Sequence, residues 1–206
     1  MTPRIHPTAI VEKGVEIGAG TSVWDNVHLR GPSKIGSNCI IGGKSYIAYG
    51  VEIGDFVKIN SFVYIPNAVK VGNGVMISAG TIFTNDITPR ATDPDITQLL
   101  DSGPQDSTLP TFVGDGVTIG AGSRISGGIT IAEFAMVGMG SVVTKDVGAF
   151  HLVFGNPARL KGAVCKCGHV LVRGSLEGQG RVTCPMCDRQ YSYQDGVVSS
   201  ELESVS

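Results

Sequence analysis

The sequence predicts an all-β protein, a parallel β-helix of about seven coils followed by a small cysteine-bearing module. Three observations carry this expectation. An aliphatic or aromatic residue recurs at every sixth position, as Ile5, Val11, Ile17, Val23, Leu29 and onward to Phe83, then again from Val113 to Val143. The residue four places after each is mostly small or β-branched, as at Thr21, Val27, Cys39, Ser45, Val51 and Ser123. Glycine often follows the aliphatic, as at Gly18, Gly36, Gly54 and Gly120. A period of six matches neither an amphipathic helix nor a simple alternating strand. It is the mark of a solenoid of hexapeptides in which three hexads close one triangular coil.

Each element follows from that rule in chain order. Residues 5–83 carry fourteen rungs, a little under five coils, and all but Leu29 and Phe83 are Ile or Val. β-Branched side chains suit strands buried on their inner face, and Gly or Asn at the corners permits a positive φ. Each buried aliphatic is worth roughly 1.5–3 kcal/mol, so twenty rungs make an adequate core. Residues 84–112 leave the pattern and carry Pro89, Pro94, Pro104 and Pro110. So long an excursion inside a compact domain is usually a binding loop or disordered, and a functional loop is the expectation here. Residues 113–148 add about two coils, and seven coils at strand spacing stack to roughly 33 Å. Within residues 1–162, the segment 153–162 is the exit from the β-helix.

Residues 163–195 hold Cys165-Lys-Cys167-Gly-His169 and Cys184-Pro-Met-Cys187. Two close thiol pairs in Gly- or Pro-bearing turns suit a tetrahedral zinc ribbon with Cys165, Cys167, Cys184 and Cys187 as ligands. Two disulfides, or incidental thiols, are the bland alternative. His169 is expected to be a neighbour rather than a ligand, and Cys39, at an inward position, a core filler. The tail 196–206, rich in Ser and Glu, is expected to be disordered. The ribbon is expected to cap the open end of the β-helix, where unpaired strand edge needs cover.

Composition sets limits. The formal net charge is −2 and the pI about 6.1, which argues against non-specific nucleic-acid binding. Lys166, Arg173, Arg181 and Arg189 make only a thin basic set on the ribbon. No apolar run reaches the roughly 18 residues of a membrane span. The opening residues enter the repeat at once and do not read as a signal peptide. With zinc-type cysteine spacing this favours a reducing cytoplasm.

The period also names vertical neighbours, since residues eighteen apart sit one coil above another. His28, Tyr46 and Tyr64 therefore line one outward ridge, Asn67 lies beneath Asn85, and Arg30, Ala48, Pro66 and Thr84 form a column. The corner Thr84-Asn85-Asp86 thus leaves beside the aromatic ridge. Those rings suit either stacking on a sugar or base or packing a neighbouring subunit.

Three segments carry a resemblance to a known family. They are Ile5-His6-Pro7-Thr8-Ala9-Ile10 with Val23-Trp24 and Val27-His28-Leu29; Ile82-Phe83-Thr84-Asn85-Asp86 with Pro89-Arg90; and Ser141 to Val147 followed by Gly155-Asn156-Pro157-Ala158-Arg159. Residues 4–163 resemble the hexapeptide-repeat acyltransferases, in particular those that N-acetylate nucleotide-linked 3-amino sugars. Some relatives carry a similar Cys-x-Cys-Gly ribbon. The resemblance implies a left-handed helix, a homotrimer, acetyl-coenzyme A as donor, and a UDP- or dTDP-linked amino sugar bound between subunits. It implies Asn85 as the group orienting the amine or tetrahedral intermediate, with Asp86 accepting the proton or holding the loop. His28 is the second candidate base, with a ridge or interface histidine as the plainer reading. Tyr46, Tyr64, Asn60, Asn67, Thr84 and Arg90 are the expected sugar-nucleotide contacts, and Arg30 a further candidate at the diphosphate. Lys145, Asn156, Arg159 and Lys161 are the expected coenzyme contacts, as cations offset phosphate charge. A backbone N–H near Gly138 or Gly140 is the expected donor to the thioester oxygen. Pro66 and Asn60 depart from the family, which often has Tyr or Trp and Gln at those places.

Two rival enzymes and one non-enzyme share the scaffold. An O-acetyltransferase needs a true base, and only His6, His28, His151 and His169 exist, none in an obvious catalytic frame. A metal-dependent carbonic anhydrase needs three converging histidines, which this spacing does not supply. A β-helical assembly module needs neither.

Overall fold

Hexad repetition becomes three flat faces. The computed structural model describes residues 2–101, 103 and 108–201. The first face begins with Arg4–Ile5 and Ser22–Val23, the second with Ile10–Val11 and His28–Leu29, the third with Val15–Ile17 and Ser33–Ile35. Strands within each face are parallel, and partners are eighteen residues apart, as in Ile41↔Ile59 and Tyr46↔Tyr64. Across the excursion the offset becomes forty-two, as in Ile82↔Arg124 and Val69↔Thr111. The inserted chain is therefore four hexads long, and the rungs return in phase. Among the described residues no segment is helical.

The inward residues are buried as the period requires. Leu29, Ile41, Ile47, Ile59, Ile65, Ile77, Phe83, Ile119, Ile125 and Ile131 are fully enclosed. Cys39 is buried among them, its sulfur near the Gly54 carbonyl at 3.2 Å. The buried hydroxyls return protons to corner carbonyls, for example Thr21 Oγ1 to Gly36 at 2.7 Å and Ser141 Oγ to Gly138 at 2.6 Å. One corner is stitched by side chains: the Ser37, Asp55 and Asn73 N–H groups donate to Asp55, Asn73 and Asp115 in the next coil, at 2.6, 2.9 and 2.7 Å. Such bonds satisfy corner amides that no strand partner reaches.

The two ends of the solenoid differ. At the N-terminal end Ile5 is 43% exposed. At the other end the chain doubles back. His151–Gly155 pairs parallel with the last first-face rung, then antiparallel with Ala158–Val164, which pairs with Val170–Arg173. The strand Ala158–Val164 runs straight through residue 162, so β-helix and cysteine module share a sheet. A second small core of Phe150, Ala163, Cys165, Leu176, Cys184, Tyr191 and Val198 fills the join, with Phe134 of the last coils packed against it.

Two expectations need correction. The tail was expected to be disordered from Gly196, but Val197–Ser200 is a strand paired with Gln190–Gln194; Val198 supplies the apolar anchor that composition hid. Residues 202–206 lie outside the described residues. The excursion was expected to last to residue 112, but Thr111 and Phe112 already belong to a third-face strand.

Candidate functional site

The second face carries the aromatic ridge that the period names. His28, Tyr46 and Tyr64 each precede a buried rung, so alternation turns them outward. His28 meets Tyr46 edge to face at 5.4 Å, and Tyr46 stacks on Tyr64 at 5.2 Å with rings 10° apart. The ridge ends on a charged network that the sequence reading missed. Glu12 Oε1 lies 2.8 Å from His28 Nε2 and 3.3 Å from Arg30 Nε, and its other oxygen accepts the Gly31 N–H at 3.3 Å. Arg30 donates to the Tyr46 hydroxyl at 3.4 Å and lies over the Tyr49 ring. The His28 contact first, with the Gly31 N–H and Arg30 behind it, holds the Glu12 carboxyl below its ordinary value despite some desolvation. An ionised carboxylate only accepts, so His28 donates from Nε2, and its neutral form keeps the lone pair on Nδ1. Glu12 stands eighteen residues before Arg30, so the period pointed to it.

At the edge between second and third faces the chain departs. The Thr84 N–H donates to the Ile125 carbonyl at 2.9 Å, fixing the last rung before the excursion. Asn85 Nδ2 donates to Asn67 Oδ1, which sets the carboxamide plane. Asn67 is itself nearly buried. The close approach depends on Gly127, where a Cβ would stand 2.9 Å from the Asn85 Cα. Burial, then the Tyr46 phenol and the Asp86 carboxylate, push the Tyr64 hydroxyl above its ordinary value, so Asp86 is within electrostatic reach of the ridge. By the same register Lys145 lies one coil beyond Gly127. Arg90 is not brought in: it is exposed and donates to its neighbour's carbonyl, Pro89 O, at 3.1 Å.

The opposite edge of the second face holds the rest. Asn60 lines an open groove of about 410 Å³ with Trp24, Asp25, Gly42, Ser61 and Ala79. Gly138 lies in the Asn60 column, through Ser78 and Gly120. Asn156, Arg159 and Lys161 belong to the exit hairpin beside it, with Lys161 over the Phe154 ring at 5.7 Å. The expected N–H donors fail here. The Gly138 N–H is taken by the Val153 carbonyl and the Gly140 N–H by the Ala121 carbonyl, both at 2.8 Å. Coil closure consumes these donors before a thioester oxygen reaches them. Arg124, also missed, reaches across to this edge from the ridge column and donates to the Gly80 and Gly122 carbonyls at 3.0 and 2.8 Å.

The four module cysteines converge. Their sulfurs all lie within 4.8 Å of one another. Cys165 to Cys187 is 3.3 Å and Cys167 to Cys184 is 3.6 Å, far beyond the roughly 2.05 Å of a disulfide. A tetrahedral ion with bonds of about 2.3 Å needs sulfurs about 3.8 Å apart, so this donor set fits zinc. The Arg189 N–H first, then Cys165, pulls the Cys187 thiol down to about 6. Cys167 is pushed up to about 12, because desolvation and the other thiols outweigh the His169 N–H. His169 is exposed and outside the four.

Comparison with known proteins adds to this geometry. The model described as bacterial transferase hexapeptide (six repeats) matches residues 14–49 and 50–85, and the hexapeptide repeat of succinyl-transferase matches 110–145. Together they cover just over half of the chain.

The chain belongs to the hexapeptide-repeat transferases.

Among curated relatives it is 45% identical, over 89 residues, to dTDP-3-amino-3,6-dideoxy-alpha-D-galactopyranose 3-N-acetyltransferase of Aneurinibacillus thermoaerophilus, covering 43% of this chain and 44% of that protein. It is 36% identical over 160 residues to serine acetyltransferase 4 of Arabidopsis thaliana, covering 78% of this chain and 29% of that one. The chain thus spans less than half the length of either relative. Among solved structures, an N-acyltransferase from Bacillus cereus with dTDP and coenzyme A bound is 24% identical with a TM-score of 0.47, covering 77% of this chain and 80% of that one. A GDP-perosamine N-acetyltransferase from Caulobacter crescentus with coenzyme A and GDP-perosamine bound is 23% identical with a TM-score of 0.48, covering 79% and 57%.

Proposed function

We propose that this hexapeptide-repeat chain transfers an acetyl group from acetyl-coenzyme A to the amino group of a nucleotide-linked 3-amino sugar, as a homotrimer in the cytoplasm. The observation that carries it is the 45% identity to the dTDP-3-amino-sugar 3-N-acetyltransferase. The neutral amine attacks the thioester carbonyl, the C–S bond breaks, coenzyme A leaves as thiolate, and the ammonium proton goes to a base or to water. Asn85, held by Asn67, orients the amine or the tetrahedral oxyanion. Asp86, at the same corner, accepts the proton. Tyr46 and Tyr64 offer a stacking surface, and Thr84 frames the corner. Lys145 from one edge and Arg159 and Lys161 from the other oppose the coenzyme phosphates. The two edges of the second face are separate in one chain. A groove against a second copy, the arrangement the trimer supplies, would let one long coenzyme meet both. The four cysteines would hold a structural zinc ion.

A specific contact favours a second reading. Glu12 and His28 form a carboxylate–imidazole pair at 2.8 Å, the kind of base that a hydroxyl acceptor requires. Acetyl-coenzyme A consumption with dTDP- and UDP-linked 3-amino sugars, matched against serine and unaminated sugars, separates the two. Turnover with amino sugars alone supports N-acetylation; turnover with hydroxyl acceptors alone overturns it. Loss of all turnover and of coenzyme binding would leave an assembly module.

A further inference from the structure

We infer that Tyr191 positions Cys165 for the metal ion and fastens the metal module to the end of the β-helix. This rests on the zinc reading of the four cysteines. Tyr191 is 1% exposed. Its hydroxyl lies 3.0 Å from the Lys166 backbone nitrogen and 3.1 Å from Cys165 Sγ. The Lys166 amide has one hydrogen, and it is directed at the phenol oxygen. The phenol's own hydrogen then has the Cys165 sulfur as its acceptor. A buried thiolate so contacted has its charge met by a directed donor, and the knuckle backbone is held by the same group. Outer contacts of this type orient ligands and tune their basicity.

The ring of Tyr191 faces the other way. It meets Phe150 at 5.5 Å, edge on, and Phe150 stacks on Phe134 at 5.6 Å with the rings 8° apart. Phe134 closes a corner of the last coils, and a Cβ at Gly116 in the coil below would stand 2.4 Å from its ring. Lys166 places its ammonium 5.0 Å above that ring. One continuous packed path therefore runs from the Cys165 sulfur through Tyr191 and Phe150 to the solenoid.

Tyr191→Phe keeps the ring and removes the hydroxyl. Titration of the metal-stripped full chain with Co²⁺, and competition of Zn²⁺ against a chromogenic chelator, should show affinity weakened about 10–100-fold. The thiolate-to-Co²⁺ absorption band should shift, and the melting temperature of the metal-free protein should move little. Wild-type affinity and an unshifted band in this variant would overturn the inference while leaving the metal site standing. Failure of the wild-type chain to bind either ion would instead remove the zinc reading and the inference with it. Phe150→Leu keeps the hydroxyl–sulfur contact and breaks the ring stack. In the wild type, chelation should speed amide exchange around Met136–Val137 and Leu152–Val153, and in Phe150→Leu this coupling should fall. Equal coupling in both proteins would contradict the fastening role.

Discussion

The β-helix and the cysteine module each bury a core of their own, but by opposite means. The solenoid spreads its stability over twenty repeated rungs, most of them enclosed by their own coil and the coils beside it, with Ile5 left open at the N-terminal end. The module gathers a small apolar core around four convergent sulfurs and one buried tyrosine. The difference teaches where the molecule tolerates change: loss of one rung is diluted, whereas on the zinc reading loss of one sulfur is not.

That contrast can be broken by experiment, beginning with the largest effect. Cys184→Ser removes a fully buried sulfur and, on the zinc reading, should abolish stoichiometric zinc by elemental analysis. The folding free energy that a structural zinc site supplies is large, about 10–16 kcal/mol in small zinc-finger peptides, so the module should unfold while the solenoid's circular dichroism persists. Common loss of both would show that the two regions are one cooperative unit. Ile59→Ala, at a fully buried mid-solenoid rung, should cost about 2–5 kcal/mol in urea unfolding. Ile5→Ala, at the open end, should cost much less, and equal costs would deny that the ends differ. Asn85→Ala should lower kcat roughly 10²–10³-fold, the usual loss of one directed donor, with coenzyme affinity and melting temperature nearly unchanged. The smallest effect concerns Glu12. Its folded carboxyl lies below the ordinary 4.5, so its contribution to stability is present above that pH and is lost as the pH falls beneath it. Glu12→Gln should flatten the acid limb of the melting profile, and an unchanged limb would show that the His28 and Arg30 contacts are idle.

Legibility in the sequence followed the same division. A rule repeated every six residues names its own buried positions, and its eighteen-residue multiple placed Tyr46 on Tyr64 and Asn67 beneath Asn85 before any coordinates. Glu12 was within reach of that arithmetic, eighteen residues before Arg30, but its column of Arg30, Ala48, Pro66 and Thr84 has no shared side-chain type to mark it. Other features have no periodic signal. Phe56, Phe62, Phe134 and Phe150 hold φ between 55° and 63° at corners where Gly or Asn was expected. The spent N–H groups of Gly138 and Gly140 depend on carbonyls from other coils and from the exit hairpin, a matter of closure and not of residue type. The strand Val197–Ser200 carries one Val and one Ser on each face and resembles a tail until its partner strand is present.

The most direct test of the account is the acetylation assay itself, run on the full chain with acetyl-coenzyme A, a dTDP-linked 3-amino sugar, and the Asn85→Ala variant alongside. The predicted result is N-acetyl product from the wild type and roughly 10²–10³-fold slower product formation from the variant, with coenzyme binding retained by both. Product formed at equal rates by the two proteins would contradict the placement of the chemistry at the Thr84–Asp86 corner.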